Sequence, residues 1–282
     1  MEGHASAPGA GTILNALATG TGGAFAIDRE TTSTVELTDD DDTITGEIEG
    51  APDADTYLIE RCVELVVDAH GDGEGGRVRT ASEVPMAAGL KSSSAAANAV
   101  VLATLDALGR EIPREEALNL GIQAAKDAGI TITGCAAGAR ASMFGGAVVA
   151  DNTTNELLHA DDVDWDVLIW MPDERAFSAD ADIERCERVA PLADLVADLA
   201  FEGAYERAMM VNGFAFCAAL DFPTDPLLDA LPHAAGTSLS GSGSSYTAVG
   251  EREALEKVQE AWDDYEGDTW LTTTRTDGAR MG

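Results

Sequence analysis

Basic residues are what this sequence has least of. Lysine occurs only at Lys91, Lys126 and Lys257, and Lys+Arg total 17 against 51 Asp+Glu, a formal net charge of -34. Neutralising a phosphate backbone needs a basic footprint, so nucleic-acid binding is excluded as a main function. The acids are spread along the chain, as in Asp39 to Asp42, Asp161 to Asp166 and Asp194 to Glu202. A single acidic tract holding a basic partner would concentrate them instead. Such a surface repels itself at low salt, whereas at molar salt the Debye length is about 3 Å and the repulsion is screened. The composition therefore predicts a cytoplasmic protein of a salt-accumulating organism.

Cysteine and histidine are also sparse. Cys62, Cys135, Cys186 and Cys217 form no CxxC pair, so neither a zinc site nor a disulfide framework is indicated, and they read as buried thiols in a reducing compartment. His4, His70, His159 and His233 are isolated and offer no ligand pair. No basic leader with an apolar run opens the chain, and no apolar run reaches the about 20 residues that span a bilayer, so no membrane role is expected. Hydrophobic content of 45% rules out disorder in spite of the charge. A chain of 282 residues buries enough surface for one large or two medium domains.

What is present begins with Pro85 to Ala97, PMAAGLKSSSAAA. Arg77 to Val84 reads as a strand closed by this proline, and Ser94 to Leu108 carries apolar residues at helical spacing until Gly109. The order is strand, small-residue loop, helix start. A helix start has unpaired N–H groups and partial positive charge, so such a loop can hold phosphate oxygens. Gly89 allows close backbone approach, Ser92, Ser93 and Ser94 add hydroxyls, and Lys91 adds charge. A serine-capped helix packed through small residues accounts for the same letters. A Walker loop does not fit, because Leu90 rather than Gly precedes Lys91, and no GxGxxG opens a helix after a strand.

Pro85, three residues, then Gly89-Leu90-Lys91-Ser92-Ser93-Ser94-Ala95 resembles the phosphate-binding motif of the GHMP kinases, and the GLKSSSAAANA form resembles the archaeal shikimate kinases of that superfamily. Near the end of the chain, GTSLSGSGSSYTAV resembles the third GHMP motif through Ser240, Gly241, Gly243 and Ser245, a loop closing over the phosphates. Near the start, Pro8, Gly9 and Asn15 are similar to the segment lining the acceptor pocket, with Ala10 where sugar kinases carry a basic residue. The resemblance covers essentially the whole chain.

It implies an α+β, two-lobed GHMP kinase-like fold. Residues 1-150 would form the N-terminal ribosomal-protein-like α/β domain, and 151-282 a C-terminal ferredoxin-like α+β domain. It also implies an ATP- and Mg2+-dependent phosphotransferase acting on a small molecule, most simply shikimate to shikimate 3-phosphate. Pro85, Met86, Ala87, Ala88, Gly89, Leu90, Lys91, Ser92, Ser93 and Ser94, with Ser240, Gly241 and Gly243, would hold the nucleotide, and Ser93 matches the magnesium serine. A homoserine kinase-like activity and a non-catalytic nucleotide-binding homologue are the alternatives.

The middle motif departs from the pattern. In Gly134 to Gly146, GCAAGARASMFGG, the related enzymes resemble this chain on both sides but carry acidic residues where it has Ala137 and Gly138. No carboxylate lies between Asp127 and Asp151. Asp127 is open to two readings, a metal-binding or catalytic acid, or a solvated helix-end carboxylate. Arg140 is open likewise, as a grip for an acceptor anion or as a surface cation.

Elsewhere, Thr31 to Leu37 reads as a strand with Thr43 to Glu49 as its hairpin partner across Asp39 to Asp42. Ala54 to Ala69 reads as an amphipathic helix, with Leu58, Cys62, Leu65, Val66 and Ala69 on its inner face. The polar turn Asn152 to Asn155 reads as the domain boundary.

Overall fold

Small and β-branched residues fill the first 38 positions and suit a closely packed sheet. In the computed structural model, which describes residues 1–40, 42–131, 134–173 and 181–282, β1 (Glu2–Leu14) and β2 (Thr21–Thr38) run antiparallel, Glu2 opposite Glu36 and Leu14 opposite Gly23. The register shifts between Pro8 and Ala10, as expected where a proline cannot donate to the ladder.

The next strand, β3 (Ile44–Ile48), does not form the expected hairpin with β2. It leads through helix α1 (Tyr57–His70) into β4 (Gly75–Ser82), which pairs parallel with β3 and antiparallel with β2, and so lies between them. The helix decides this, because its buried face needs a sheet to lie on, and a crossover that long permits parallel pairing. That face is Ile59, Cys62, Val63, Val66 and Val67; Leu58 and Leu65 pack at its margin. Asp41, part of the expected acidic turn, lies outside the described residues.

Helix α2 (Ser92–Ala107) is buried almost all round, packed on β1 and β2 and flanked by α1, α3 (Arg114–Asp127) and α4 (Ala136–Phe144). Its alanines make this packing close. A Cβ on Gly3 of β1 would lie 2.2 Å from the Ala103 carbonyl oxygen, so strand and helix touch backbone to backbone. Strand β5 (Ala147–Asp151) pairs with the first half of β2, and β6 (Glu156–Asp161) pairs with β5. The division expected at residue 150 thus runs through a hairpin, and its polar turn joins two strands of one sheet.

The second lobe holds β7 (Asp166–Met171), α5 (Ile183–Glu187), α6 (Ala190–Phe201), α7 (Tyr205–Leu220), α8 (Asp225–Ala230), β8 (Gly236–Leu239), β9 (Tyr246–Gly250), α9 (Arg252–Trp262) and β10 (Asp268–Thr273). Its sheet is antiparallel in the order β10-β7-β9-β8, and β11 (Arg280–Met281) returns to β1. Leu255, Val258 and Trp262 give α9 its buried stripe at helical spacing.

The two lobes share a core. Ile13, Leu14, Phe25, Val84 and Leu90 pack with Val167, Ile169, Val196 and Met209, and the Phe25 and Trp165 rings meet edge to face at 5.5 Å. Burial of this size, at about 25 cal/mol per Å² of apolar surface, holds the loops on either side in fixed relation. The segment between β4 and α2 runs through that shared core.

Candidate active site

Leu90 and Ala88 are each 1% exposed, and this anchors the loop between β4 and α2. The Ala10 amide donates to the Leu90 carbonyl at 3.0 Å, tying the loop to β1. Gly89 has φ +75, and Ala87 and Lys91 adopt left-handed backbone without being glycine. Such conformations persist where the surroundings fix them, and they concentrate at functional sites. Lys91 is the residue before the helix, and its carbonyl accepts from the Ala95 amide at 3.0 Å. The amides of Ser92, Ser93 and Ser94 have no acceptor among the described residues.

The β8–β9 loop closes on this segment from the other lobe. Ser240 Oγ donates to the Gly89 carbonyl at 3.1 Å, and Ser245 Oγ donates to the Ala88 carbonyl. A Cβ on Gly89 would lie 2.0 Å from the Ser240 carbonyl oxygen, so the two loops fit only with glycine there. The Gly241 amide donates to Thr12 Oγ1 at 2.8 Å, and Asn15 Nδ2 donates to the Gly241 carbonyl at 2.7 Å. Asn15 Oδ1 accepts from the Leu17 amide at 3.0 Å, so one end of this side chain holds the β8–β9 loop and the other the turn after β1.

Lys91 lies at the junction. Its Nζ donates to Thr12 Oγ1 at 3.0 Å and to the Gly89 carbonyl at 3.3 Å, and no carboxylate among the described residues pairs with it. Burial pushes its ammonium down to about 8. Burial likewise raises Cys135 to about 11, so that group stays a thiol at neutral pH.

The start of α4 forms the far wall. Asn152 Oδ1 accepts from the Ala137 amide at 3.0 Å while its Nδ2 donates to the Gly134 carbonyl at 3.0 Å. Asn152 thus does the capping that Cys135, at the N-cap position, does not. A Cβ on Gly138 would lie 3.1 Å from Lys91 Cδ, so the lysine stem rests against the bare backbone of this glycine. The cavity between these elements is lined by Thr12, Asn15, Lys91, Ser93, Ser94, Cys135, Ala137, Gly138, Asn152 and Gly241 among others, and none of the described residues lining it is acidic.

Several expected residues sit elsewhere. Asp127 accepts from Arg61 Nε at 2.7 Å and from Gln123 Nε2 at 2.6 Å, which hold its carboxyl below the usual range, and it does not line the cavity. Arg140 is neither on the surface nor in the cavity. It is buried, donates to Glu115 at 2.7 Å and to the Asn155 carbonyl at 2.7 Å, and borders a separate surface pocket with Phe144 and Leu157. Gly9 packs against Val84 and Leu90 behind the loop, and neither it nor Pro8 lines the cavity. Met86 is 39% exposed at the loop's outer side. Thr12 and Asn152 were not found by sequence reasoning, since each acts through a partner distant in the chain.

Residues 57–146 match the GHMP kinases N terminal domain. The chain is 58% identical to the shikimate kinase of Halobacterium salinarum, with 99% of each chain covered. It is 48% identical to the shikimate kinase of Methanosarcina mazei, covering 99% of this chain and 96% of the relative. Among solved structures it is similar to a homoserine kinase from Cytophaga hutchinsonii, with TM-score 0.79, 18% identity, and 100% and 97% of the chains covered. The Methanococcus jannaschii mevalonate kinase superposes with TM-score 0.78 at 13% identity, covering 96% and 98%.

Proposed function

The chain belongs to the GHMP kinases and, within them, to the archaeal shikimate kinases, and on that membership we propose that it transfers the γ-phosphoryl group of ATP to a hydroxyl of shikimate, giving shikimate 3-phosphate. The observation that carries this reading is the open first turn of α2. The amides of Ser92, Ser93 and Ser94 have no acceptor among the described residues, and Ser93 and Ser94 line, beside Lys91, a cavity whose described lining holds no acid, in a protein of net charge -34. The acids that dominate the chain repel a polyanion; here, among the described residues, backbone dipoles and one cation receive it.

In this reading the amides of Ser92 to Ser94 hold the nucleotide phosphates, and the loop with Gly241 and Gly243 lies across them. Among the described residues no group of three or more His, Cys, Asp and Glu is placed to hold a metal ion. A resident magnesium site built on carboxylates therefore does not fit, and magnesium enters as part of the MgATP substrate, with the Ser93 hydroxyl beside it. The acceptor lies between the end of β1 near Asn15 and the start of α4. Holding two reactants in line and stabilising the charge on the transferred group supply most of the acceleration in phosphoryl transfer. Cytoplasmic location accords with the acidic composition, and no helix among the described residues is long and apolar enough to cross a membrane.

Ala137 and Gly138 favour a second reading, a nucleotide-binding protein that turns nothing over. A general base typically contributes about 100-fold to 10,000-fold, so its absence leaves a slow enzyme or an inactive one. The test is ATP-dependent product formation with shikimate, homoserine and mevalonate in molar KCl, beside the variants Ala137→Asp and Gly138→Asp. Turnover of shikimate by the unaltered chain supports the kinase. Nucleotide binding with turnover only in an acid-restored variant supports the binding protein.

A further inference from the structure

We propose that Lys91 is the catalytic residue of this chain, its ammonium stabilising the transferring phosphoryl group in a site whose described lining holds no carboxylate or imidazole base. This rests on the kinase reading above. Four segments far apart in sequence converge on this one side chain. Nζ lies 3.0 Å from Thr12 Oγ1 of β1 and 3.3 Å from the Gly89 carbonyl of the phosphate loop. A Cβ on Gly241 would approach Nζ to 2.8 Å, and one on Gly138 would approach Cδ to 3.1 Å. Both glycines thus leave room for the lysine rather than for a turn alone.

The described surroundings supply no competing group. Among the described residues, those lining the cavity include no carboxylate and no imidazole, and Lys91 is their one cation. Arg140 is held by Glu115 and faces another pocket. An enclosed ammonium without a counter-ion is costly, and that cost is offset when an anion arrives. An acid at position 138 would occupy the seat of the lysine stem and pair with its charge. The absent acid and the placement of Lys91 are therefore one arrangement.

The step balances without a protein base. The acceptor hydroxyl oxygen bonds to the γ-phosphorus as the bond from that phosphorus to the oxygen bridging it to the β-phosphorus breaks, and ADP departs with that oxygen. The hydroxyl proton passes to a non-bridging oxygen of the transferred group and from there to solvent. Lys91 balances the charge on those oxygens throughout.

Turnover of shikimate in molar KCl, MgATP binding by calorimetry and thermal unfolding of the full chain test this, using Lys91→Met and Gly138→Ala. Lys91→Met is expected to lose at least about 100-fold in kcat, with KM for shikimate changed less than about threefold and no loss of thermal stability. Gly138→Ala keeps the lysine but crowds its stem. Alanine suits a helix better than glycine, so its unfolding temperature should hold or rise while kcat falls about threefold to tenfold. If Lys91→Met keeps kcat within about threefold, or if it unfolds and Gly138→Ala keeps full kcat, the inference fails and the kinase reading stands. An unaltered chain that binds MgATP but forms no product overturns both.

Discussion

Two helices begin beside the same cavity and finish their first turns differently. At α2 the amides of Ser92, Ser93 and Ser94 are left without acceptors among the described residues. At α4 the Ala137 amide is taken by Asn152 Oδ1, and the same side chain holds the Gly134 carbonyl. Both helix starts carry the same partial positive charge, so helicity alone does not make an anion site. What separates them is whether the protein supplies its own acceptor. The α2 turn is open throughout, and the α4 turn is closed at one amide only, those of Ala136 and Gly138 having no acceptor among the described residues.

Lowering the salt should erase the comparison altogether. With a net charge of -34, far-UV circular dichroism is expected to lose most of its helical signal between molar and low KCl. An unchanged spectrum would contradict the account of the acidic surface. The next largest effect is at Gly89, where φ is +75 and a side chain meets the Ser240 carbonyl at 2.0 Å. Gly89→Val should separate the two loops and weaken MgATP binding by at least about 100-fold, measured by calorimetry in molar KCl.

Asn152→Ala probes the closed turn. It leaves the Ala137 amide and the Gly134 carbonyl without partners, at a cost of about 1–3 kcal/mol, so the unfolding temperature should drop by several degrees. MgATP affinity should hardly move, and a large loss would show that the α4 start belongs to the nucleotide site. The smallest expected change is for Ser93→Ala, which removes a hydroxyl but keeps the amide. A loss of affinity of about tenfold or less is expected if the backbone does most of the holding.

The open turn was legible from the letters and the closed one was not. A strand, a Gly/Ser/Ala loop and an apolar helix are local features, and Arg77 to Leu108 shows all three in order. Asn152 caps a helix that starts sixteen positions before it, and nothing in the intervening residues marks the pairing. Arg140 shows a second limit. It is two residues past Gly138, about 200° around the helix, so it faces away from the cavity that Gly138 lines. The pairing of β3 with β4 rather than β2 is a third, since alternation marks a strand but not its neighbour. The acid-free lining was half visible: the missing carboxylates at Ala137 and Gly138 are in the sequence, but the seating of Lys91 against that gap is not.

The most direct test of the central claim, that the open turn of α2 under the β8–β9 loop grips nucleotide phosphates, is a calorimetric titration of the full chain with MgATP in molar KCl. The account predicts a saturable heat for one site that survives Asn152→Ala and disappears in Gly89→Val. No heat with the unaltered chain, or the same heat with Gly89→Val, would contradict it.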